Sequence, residues 1–292
     1  MGKRTLLNIW LAIALLALVW VVWQEPGHAP KEKDVPVKLT TLTPAAITKI
    51  AITTRKGSVM LDKQGGDWWL SGPIKIAANA VSVDNLLQVL QARSVSRFPA
   101  AGRDLSQYGL ADPEARLLLN DTEIRIGNVA PLGQQRYVQL GDTIHLIAER
   151  YMFDVPSDAA SLVSRDLVPH GKRIVAIALP GAKLVRGDKG EWSMTPADKG
   201  IAADAIQGLV KQWSDVQALR VAAYQKQAAQ GEVTIELEGE PAPLRYQIVS
   251  RQPELILARP EIGIQFYVAG EQVERLLNVT TAANDAVAAN KK

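Results

Sequence analysis

The chain has 292 residues, 47% of them apolar, which is enough for one large domain or two ordinary ones and too apolar for a disordered chain. Its 33 basic and 30 acidic residues nearly balance and no Lys/Arg-rich block occurs, which excludes the electrostatic footprint of a nucleic-acid-binding protein. The absence of cysteine excludes disulfides, thiolate nucleophiles and cysteine-ligated metals.

The N-terminus contains an apolar run from Leu6 to Trp23 whose only polar residue is Asn8. As a helix this run would span about 27 Å, close to the hydrocarbon thickness of a bilayer. A cleaved signal peptide is the competing interpretation. Its apolar region is usually shorter and ends at small residues, whereas bulky "WVVWQEP" occupies the place of a cleavage site here. We therefore predict an uncleaved transmembrane helix at residues 6–23.

Two basic residues before the run predict its orientation. Because Lys3 and Arg4 favour the cytoplasmic side, residues 1–5 are expected in the cytoplasm and the bulk of the chain in the periplasm of a Gram-negative bacterium. Residues 24–44 are rich in proline and charge and lack periodicity, which predicts a tether. The expected location is the bacterial inner membrane, with a single N-in/C-out span.

Two similar segments occur in the remainder of the chain, "KQGGDWWLSGP" at 63–73 and "DKGEWSMTP" at 188–196. Each follows two short stretches of alternating apolar residues and a glycine turn, which indicates a β-hairpin. In this alignment Trp68 matches Trp192. Apolar residues at spacings of three and four come after each segment and predict a helix.

An aspartate near the start of each helical pattern, Asp84 in the first copy and Asp204 in the second, is a predicted N-cap. We therefore predict an α+β fold. Two tandem β-rich α+β repeat units, with antiparallel hairpins and a helix each, would follow the transmembrane helix at 45–168 and 171–279. The small, polar residues 280–292 are expected to form a flexible tail.

The tryptophans of the two hairpins are expected to play different roles. Trp68 and Trp192 are best explained as core residues that bury a large apolar area beside the hairpin. Trp69 aligns with Ser193, and strand alternation points it to the opposite side. Trp69 is therefore the better candidate for a binding aromatic.

Several motifs carry a resemblance to a known family. They are "GGDWWLSGP", "LSQYGLADPEARL" at 105–117 and "IRIGN", in this order after the apolar run. With them the chain resembles the family catalogued as domain of unknown function 4340. The second unit keeps the Trp hairpin but has "YQKQAAQGEVTIEL" in place of the Tyr-Gly-Leu-x-x-Pro segment. The resemblance implies a membrane-anchored protein with no established activity and, for some members, a partner role in auxiliary ABC-type export systems.

Tyr108 in "YGLADP" is a second candidate for a binding surface. A structural explanation is also open, because Gly109 can take a positive φ, Pro113 can begin the next strand and Tyr108 can cover the turn.

Motifs for catalysis or metal binding are absent from the sequence. His28, His145 and His170 have no partner at metal-ligand spacing, and no nucleophile elbow, P-loop or dinucleotide fingerprint occurs. We predict no metal, no cofactor and no catalytic residue. Acidic residues are scattered and mostly in turn contexts, so a carboxylate pair assembled by folding stays open.

These patterns favour a non-enzymatic interaction or scaffold module in the cell envelope, with the inner membrane and a membrane or envelope protein as partners. A periplasmic glycan- or lipid-binding module that uses Trp69 is the first alternative. A periplasmic hydrolase with a carboxylate site is the second.

Overall fold

The computed structural model describes Leu15, Trp20 and residues 37–131, 133–153, 155–156, 158–198 and 201–279. Leu15 and Trp20 are helical and exposed. The rest of the predicted transmembrane helix at 6–23 lies outside the described residues, as do the predicted cytoplasmic residues 1–5 and the tail at 280–292. Among the residues that are described, no helix is both long and apolar enough to cross a membrane.

Short extended segments with alternating burial are the main regular structure of the described chain. The strands are β1 (Val37–Lys38), β2 (Lys49–Thr54), β3 (Gly57–Gln64), β4 (Asp67–Gly72), β5 (Ile76–Ala77), β6 (Arg93–Ser94), β7 (Ser96–Pro99), β8 (Ala115–Leu119), β9 (Thr122–Val129), β10 (Gln135–Leu140), β11 (Thr143–Ala148), β12 (Ile174–Leu179), β13 (Ala182–Arg186), β14 (Trp192–Thr195), β15 (Arg220–Ala223), β16 (Gly231–Leu237), β17 (Leu244–Ser250), β18 (Leu255–Arg259) and β19 (Ile264–Val268). The α-helices are α1 (Ala80–Leu87), α2 (Ala203–Asp215) and α3 (Gln272–Leu277).

The strands form two large antiparallel sheets with the same internal plan. The first has the order β5-β4-β3-β2-β8-β9-β10-β11-β7, and the second has the order β14-β13-β12-β16-β17-β18-β19-β15. In each sheet the first strand of a hairpin meander, β2 or β12, pairs with the first strand of a four-stranded meander, β8 or β16. A strand that lies between the two meanders in the sequence, β7 or β15, forms the far edge. Strands β1 and β6 form a separate two-stranded sheet. The pairing of β1 with β6 places residues 37–38, which lie within the stretch predicted as a tether, in a hydrogen-bonded sheet.

The predicted α+β class, with one helix in each repeat, is wrong. The described chain is predominantly antiparallel β-sheet, and its few helices are short. The apolar spacing after the first hairpin does not give one long helix, because α1 ends at Leu87 and a 3-10 turn, Gln88–Gln91, continues the chain.

The predicted helix caps are also wrong. Asn79 caps α1, since its side-chain oxygen accepts a hydrogen bond from the backbone N–H of Ser82, and Asp84 lies inside the helix. Helix α2 begins after Ala202 without a side-chain cap, and Asp204 lies in its first turn. An acidic residue there still interacts favourably with the helix dipole.

The two sheets contribute to one apolar core. Their buried aliphatic and aromatic side chains form a single cluster, which includes Trp68 at 5% exposure and fully buried Trp213. The indole N–H of Trp213 donates to the carbonyl of Leu276 at 2.8 Å, so its one polar group is satisfied. Trp192 is half-buried and packs against the same cluster.

The segment that connects the sheets is hydrogen-bonded to both of them. The backbone N–H of Ser164 donates to Ala77, and that of Ala218 donates to Arg165, at 2.9 and 2.8 Å. The phenol of Tyr246, from the second sheet, donates to the carbonyl of Leu167. The connection is therefore part of the folded body.

Residues 100–113, which we name the clasp, lie on the outer face of the first sheet, opposite the shared core. Leu110 of the clasp is fully buried, and Gly109 takes φ +67° to end the 3-10 turn before it. The clasp approaches β9 closely, because a Cβ at Gly127 would overlap the carbonyl oxygen of Tyr108 and lie 3.0 Å from the Leu110 side chain. The backbone contact at Gly127 thus requires glycine.

We expect Gly127→Ala to lower the free energy of unfolding by about 1–3 kcal/mol, because the added methyl group collides with backbone that cannot move independently. Gly181→Ala is the matched control, since no atom lies within 4 Å of a Cβ placed there. Thermal or urea unfolding of the full chain in detergent measures both. Equal stability of the two variants would contradict the close approach.

Candidate functional site

The clasp covers only part of the outer face of the first sheet. It packs over β9, β10, β11 and β7, where Tyr108 contacts Phe98 and Tyr137 with ring centroids 5.5 and 4.9 Å apart. The outward side chains of β2, β3, β4, β8 and the first half of β9 are left uncovered by the described residues. We name this uncovered part the open face.

An apolar row crosses the open face. Leu118 of β8 and Met60 of β3 both pair with Ala51 of the intervening strand β2, so the three side chains lie side by side. Leu118 is 43% exposed and Met60 is 51% exposed. A row of adjacent apolar side chains on a solvent-facing sheet surface is unusual for a soluble face and is typical of a contact surface.

A basic row lies beside the apolar row, two residues along each strand. It consists of Arg125, Arg116, Thr53 and Ser58, which are opposite one another in successive strands. The hydroxyl of Ser58 donates to that of Thr53 at 3.2 Å. The row thus places two guanidinium groups and two hydroxyl groups in one line.

The two arginines of the basic row face each other directly. Arg125 forms an ion pair with Glu123 of its own strand at 3.2 Å. Arg116 has no ion pair or side-chain hydrogen bond with any residue that the structure describes. Like charges directly opposite in an antiparallel pair destabilise the sheet. The fold therefore carries an unfavourable charge pair on its surface.

Trp69 lies at the edge of the open face. Its neighbours Trp68 and Leu70 are buried in the core, so Trp69 points to the outer side, where it is partly exposed. Asp62 lies directly opposite Trp69 in β3. The binding role predicted for Trp69 stays a prediction.

Tyr108 lies in the clasp, away from Trp69. Arg103 donates to its phenol oxygen at 3.4 Å and stacks over Phe98 at 4.5 Å, so the ring is held within an aromatic cluster. Strands β3, β2 and β8 separate the Trp69 strand from the part of the sheet under the clasp. The structure therefore does not bring the two predicted residues into one site.

The second sheet provides an internal comparison for the open face. Ile52 of β2 pairs with Leu117 of β8, and Ile177 of β12 pairs with Ile235 of β16 in the same way. Aligning these two core pairs matches each outward residue of the first sheet to one of the second. The matched residues are Glu236 for Leu118, Thr234 for Arg116, Arg245 for Arg125, Val185 for Met60 and Lys183 for Ser58.

The matched surface of the second sheet also carries two basic residues, Arg245 and Lys183, but they lie on strands that are not adjacent. Arg245 approaches Glu232 at 3.5 Å, and Thr234 faces it where the first sheet has a second arginine. Glu236 replaces the central leucine of the apolar row. The same topology is thus compatible with an outer face that has neither an apolar residue at the position of Leu118 nor a pair of facing arginines, so the fold does not dictate these two features.

A separate cleft of about 480 Å³ lies at the hairpin end of the first sheet. Buried Arg136 donates through Nε and Nη2 to both oxygens of Glu149, each at 2.8 Å, and through Nη1 to Glu114 and to the carbonyl of Gly127. Its hydrogen bonds to Glu149, which outweigh burial, raise the pKa of Arg136 above its usual range. The two carboxylates share one fixed cation, which ties β8 and β10 to the turn after β11.

Histidine and metal chemistry have little support in the described chain. His145 is buried at 7% exposure with Nδ1 unpartnered, and burial, with nearby Arg97, lowers the pKa of its ring. His145 is therefore held neutral beside the core. Within the described ranges no group of three or more His, Asp or Glu side chains could hold a metal ion.

The residues of the open face were missed by sequence reasoning, although one signal was present. In "ARLLL" the alternation of β8 buries Ala115, Leu117 and Leu119, so Leu118 is an apolar residue at an outward position. The opposition of Arg116 and Arg125 had no such signal, because it depends on the register between two strands.

Residues 68–234 match the model of the family described as Domain of unknown function (DUF4340). The match covers more than half of the chain and includes the clasp, β8 and β9 with both arginines of the basic row, and the hairpin of the second sheet. No curated protein and no solved structure is significantly similar to the chain.

We expect Arg116→Glu to raise the free energy of unfolding by about 0.2–1 kcal/mol, because it converts a like-charge pair into an opposite-charge pair with Arg125. Arg116→Gln should give a smaller gain, since it removes repulsion without adding attraction. Urea unfolding at low ionic strength measures both variants. A loss of stability in Arg116→Glu would show that a favourable contact of Arg116 had been removed.

Proposed function

The chain belongs to the DUF4340 family, and on this premise we propose that it is a non-enzymatic interaction or scaffold module of the bacterial cell envelope. It is held at the inner membrane, N-in and C-out, and presents its folded body in the periplasm to a membrane or envelope protein. A role as accessory to an ABC-type envelope transport system is the finer form of this proposal, and it rests on the family resemblance alone.

One observation carries the proposal: the open face combines an unbroken apolar row with two arginines that face each other, whereas the matched face of the second sheet has Glu236 and Thr234 in place of Leu118 and Arg116. The two half-exposed side chains of the apolar row, Leu118 and Met60, would together gain on the order of 2 kcal/mol from being covered. A solitary soluble domain gains nothing from exposing them, whereas a docking surface does.

The location in the proposal is supported by the sequence. The apolar run at 6–23, with Lys3 and Arg4 before it, has the length and flank of an anchor that keeps the body at the periplasmic side. This support is independent of the open face.

The two alternatives each have one observation in their favour. A glycan- or lipid-binding module is favoured by Trp69, whose partly exposed indole lies beside the Asp62 carboxylate. A hydrolase is favoured by the cleft that contains Glu114 and Glu149. Arg136 engages both of these carboxylates, and Asp112, the third carboxylate of the cleft, pairs with Arg55. This arrangement suits an ion network that maintains the cleft better than an acid–base pair.

The test compares matched substitutions on the two sheets in the full-length protein. Met60→Glu and Val185→Glu each place a carboxylate at the same position of an outer face. We expect crosslinked membranes, solubilised in mild detergent, to give a stoichiometric envelope partner with wild type and Val185→Glu. That partner should be lost with Met60→Glu.

Mass spectrometry of the purified material measures this outcome. A solitary wild-type protein, or a partner retained equally by both variants, would refute docking through the open face. Circular dichroism of each variant serves as the folding control.

A further inference from the structure

The basic row has a feature that the proposed function alone does not explain. Arg116 and Arg125 face each other, and Arg116 has no neutralising partner among the described residues. The equivalent of Arg116 in the second sheet is Thr234, so the topology does not require the charge. Like charges held together on a surface become favourable when a bound group supplies the opposite charge.

We propose that the open face binds an amphipathic α-helix of a partner protein, with apolar residues on the apolar row and carboxylates along the flank that faces the basic row. This inference rests on the proposed function and names the class of the partner.

The dimensions of the two rows fit a helix laid across the strands. Adjacent strands are about 4.8 Å apart, so a row that crosses β9, β8, β2 and β3 is about 14 Å long. A helix rises about 5.4 Å per turn, and its i, i+4 and i+7 side chains therefore meet successive strands. The rows are about 6.8 Å apart, the separation of two residues along a strand, which matches an apolar stripe and its neighbouring flank.

Two carboxylates that lie next to the apolar row favour a protein over an anionic membrane surface as the partner. Glu123 lies directly opposite Leu118, and Asp62 follows Met60 by two residues on the same side of β3. An anionic bilayer would repel both carboxylates. A helix can place a neutral or basic side chain against each of them and carboxylates only against the arginines.

The position of the apolar row, away from the sheet edges, also favours a helix over an added strand as the bound element. The apolar row crosses β2 between β8 and β3, and all three strands already have hydrogen-bonded neighbours on both sides. Pairing with a new strand is restricted to sheet edges, whereas side chains of a helix can pack on a sheet face.

The experiment uses the full chain in phosphatidylcholine nanodiscs and a dye-labelled, stapled peptide of about 14 residues, long enough for the row. The acidic peptide has leucines on one stripe and glutamates on one flank, and the basic peptide has lysines in place of the glutamates. Fluorescence anisotropy measures binding. We expect the acidic peptide to bind more tightly than the basic peptide, and its affinity to fall as salt is raised.

Matched substitutions locate the binding. Arg125→Gln should weaken the affinity for the acidic peptide about fivefold, which corresponds to the loss of one partly screened ion pair. Arg245→Gln, at the equivalent position of the second sheet, should leave this affinity unchanged. The double substitution Arg116→Thr with Leu118→Glu should abolish binding. Because it introduces the residues that the second sheet carries at those positions, the fold should be retained, and thermal unfolding checks this.

Four outcomes would overturn the inference. They are equal binding of the basic peptide, no binding of either peptide, equal weakening by Arg125→Gln and Arg245→Gln, and displacement of the acidic peptide by vesicles of equal parts phosphatidylglycerol and phosphatidylcholine. The last would assign the face to anionic lipid. An envelope partner that is crosslinked to wild type and lost with Met60→Glu would still support the proposed function, so the failures of the two proposals are distinguishable.

Discussion

The close backbone contact between the clasp and Gly127 determines which part of the first sheet is available to other molecules. A sheet with one face on a core exposes the other, and the clasp can lie close against part of that outer face because β9 has no side chain at Gly127. The covered part contains the aromatic cluster around Tyr108. The other part is left with the apolar and basic rows. The "YGLADP" motif thus has a role in the architecture of the sheet, and the binding role predicted for Tyr108 stays a prediction.

A comparison of the two sheets distinguishes the features that the fold requires from those that it only permits. Apart from the edge strand β5 of the first sheet, both have the same strand order, and both bury aliphatic residues at matched inward positions, as Ile52 and Ile177 illustrate. Their outer faces differ at the positions of Leu118 and Arg116, where the second sheet has Glu236 and Thr234. Because stability needs only the shared features, the differing ones are where a function specific to the first sheet is expected.

Local sequence patterns predicted the features that depend on neighbouring residues. Glycine turns and alternation predicted the two Trp hairpins, the buried position of Trp68 and the outward direction of Trp69. The fold class was predicted wrongly, because apolar spacing at Leu86, Leu87 and Leu90 continues through α1 into a 3-10 turn and overstates the helix. The described chain instead forms sheets in which local hairpins are joined by pairings that are distant in sequence, such as β2 with β8 and β12 with β16.

The candidate site depended on register and was beyond local patterns. Arg116 and Arg125 lie on consecutive strands, yet their opposition appears only when the pairing of β8 with β9 is known. Arg136 and Glu149 likewise meet through the fold, 13 residues apart in sequence. Outward Leu118 was the one element that alternation alone could have revealed.

The central claim is that the outer face of the first sheet, and not that of the second, contacts another protein in the envelope. Site-specific photo-crosslinking in cells tests it most directly, with a benzoylphenylalanine at the positions of Met60 and Leu118 or of their matched residues Val185 and Glu236. The account predicts a discrete protein adduct from the first pair and none from the second. Adducts of equal strength from both pairs, or adducts from the second sheet only, would contradict it.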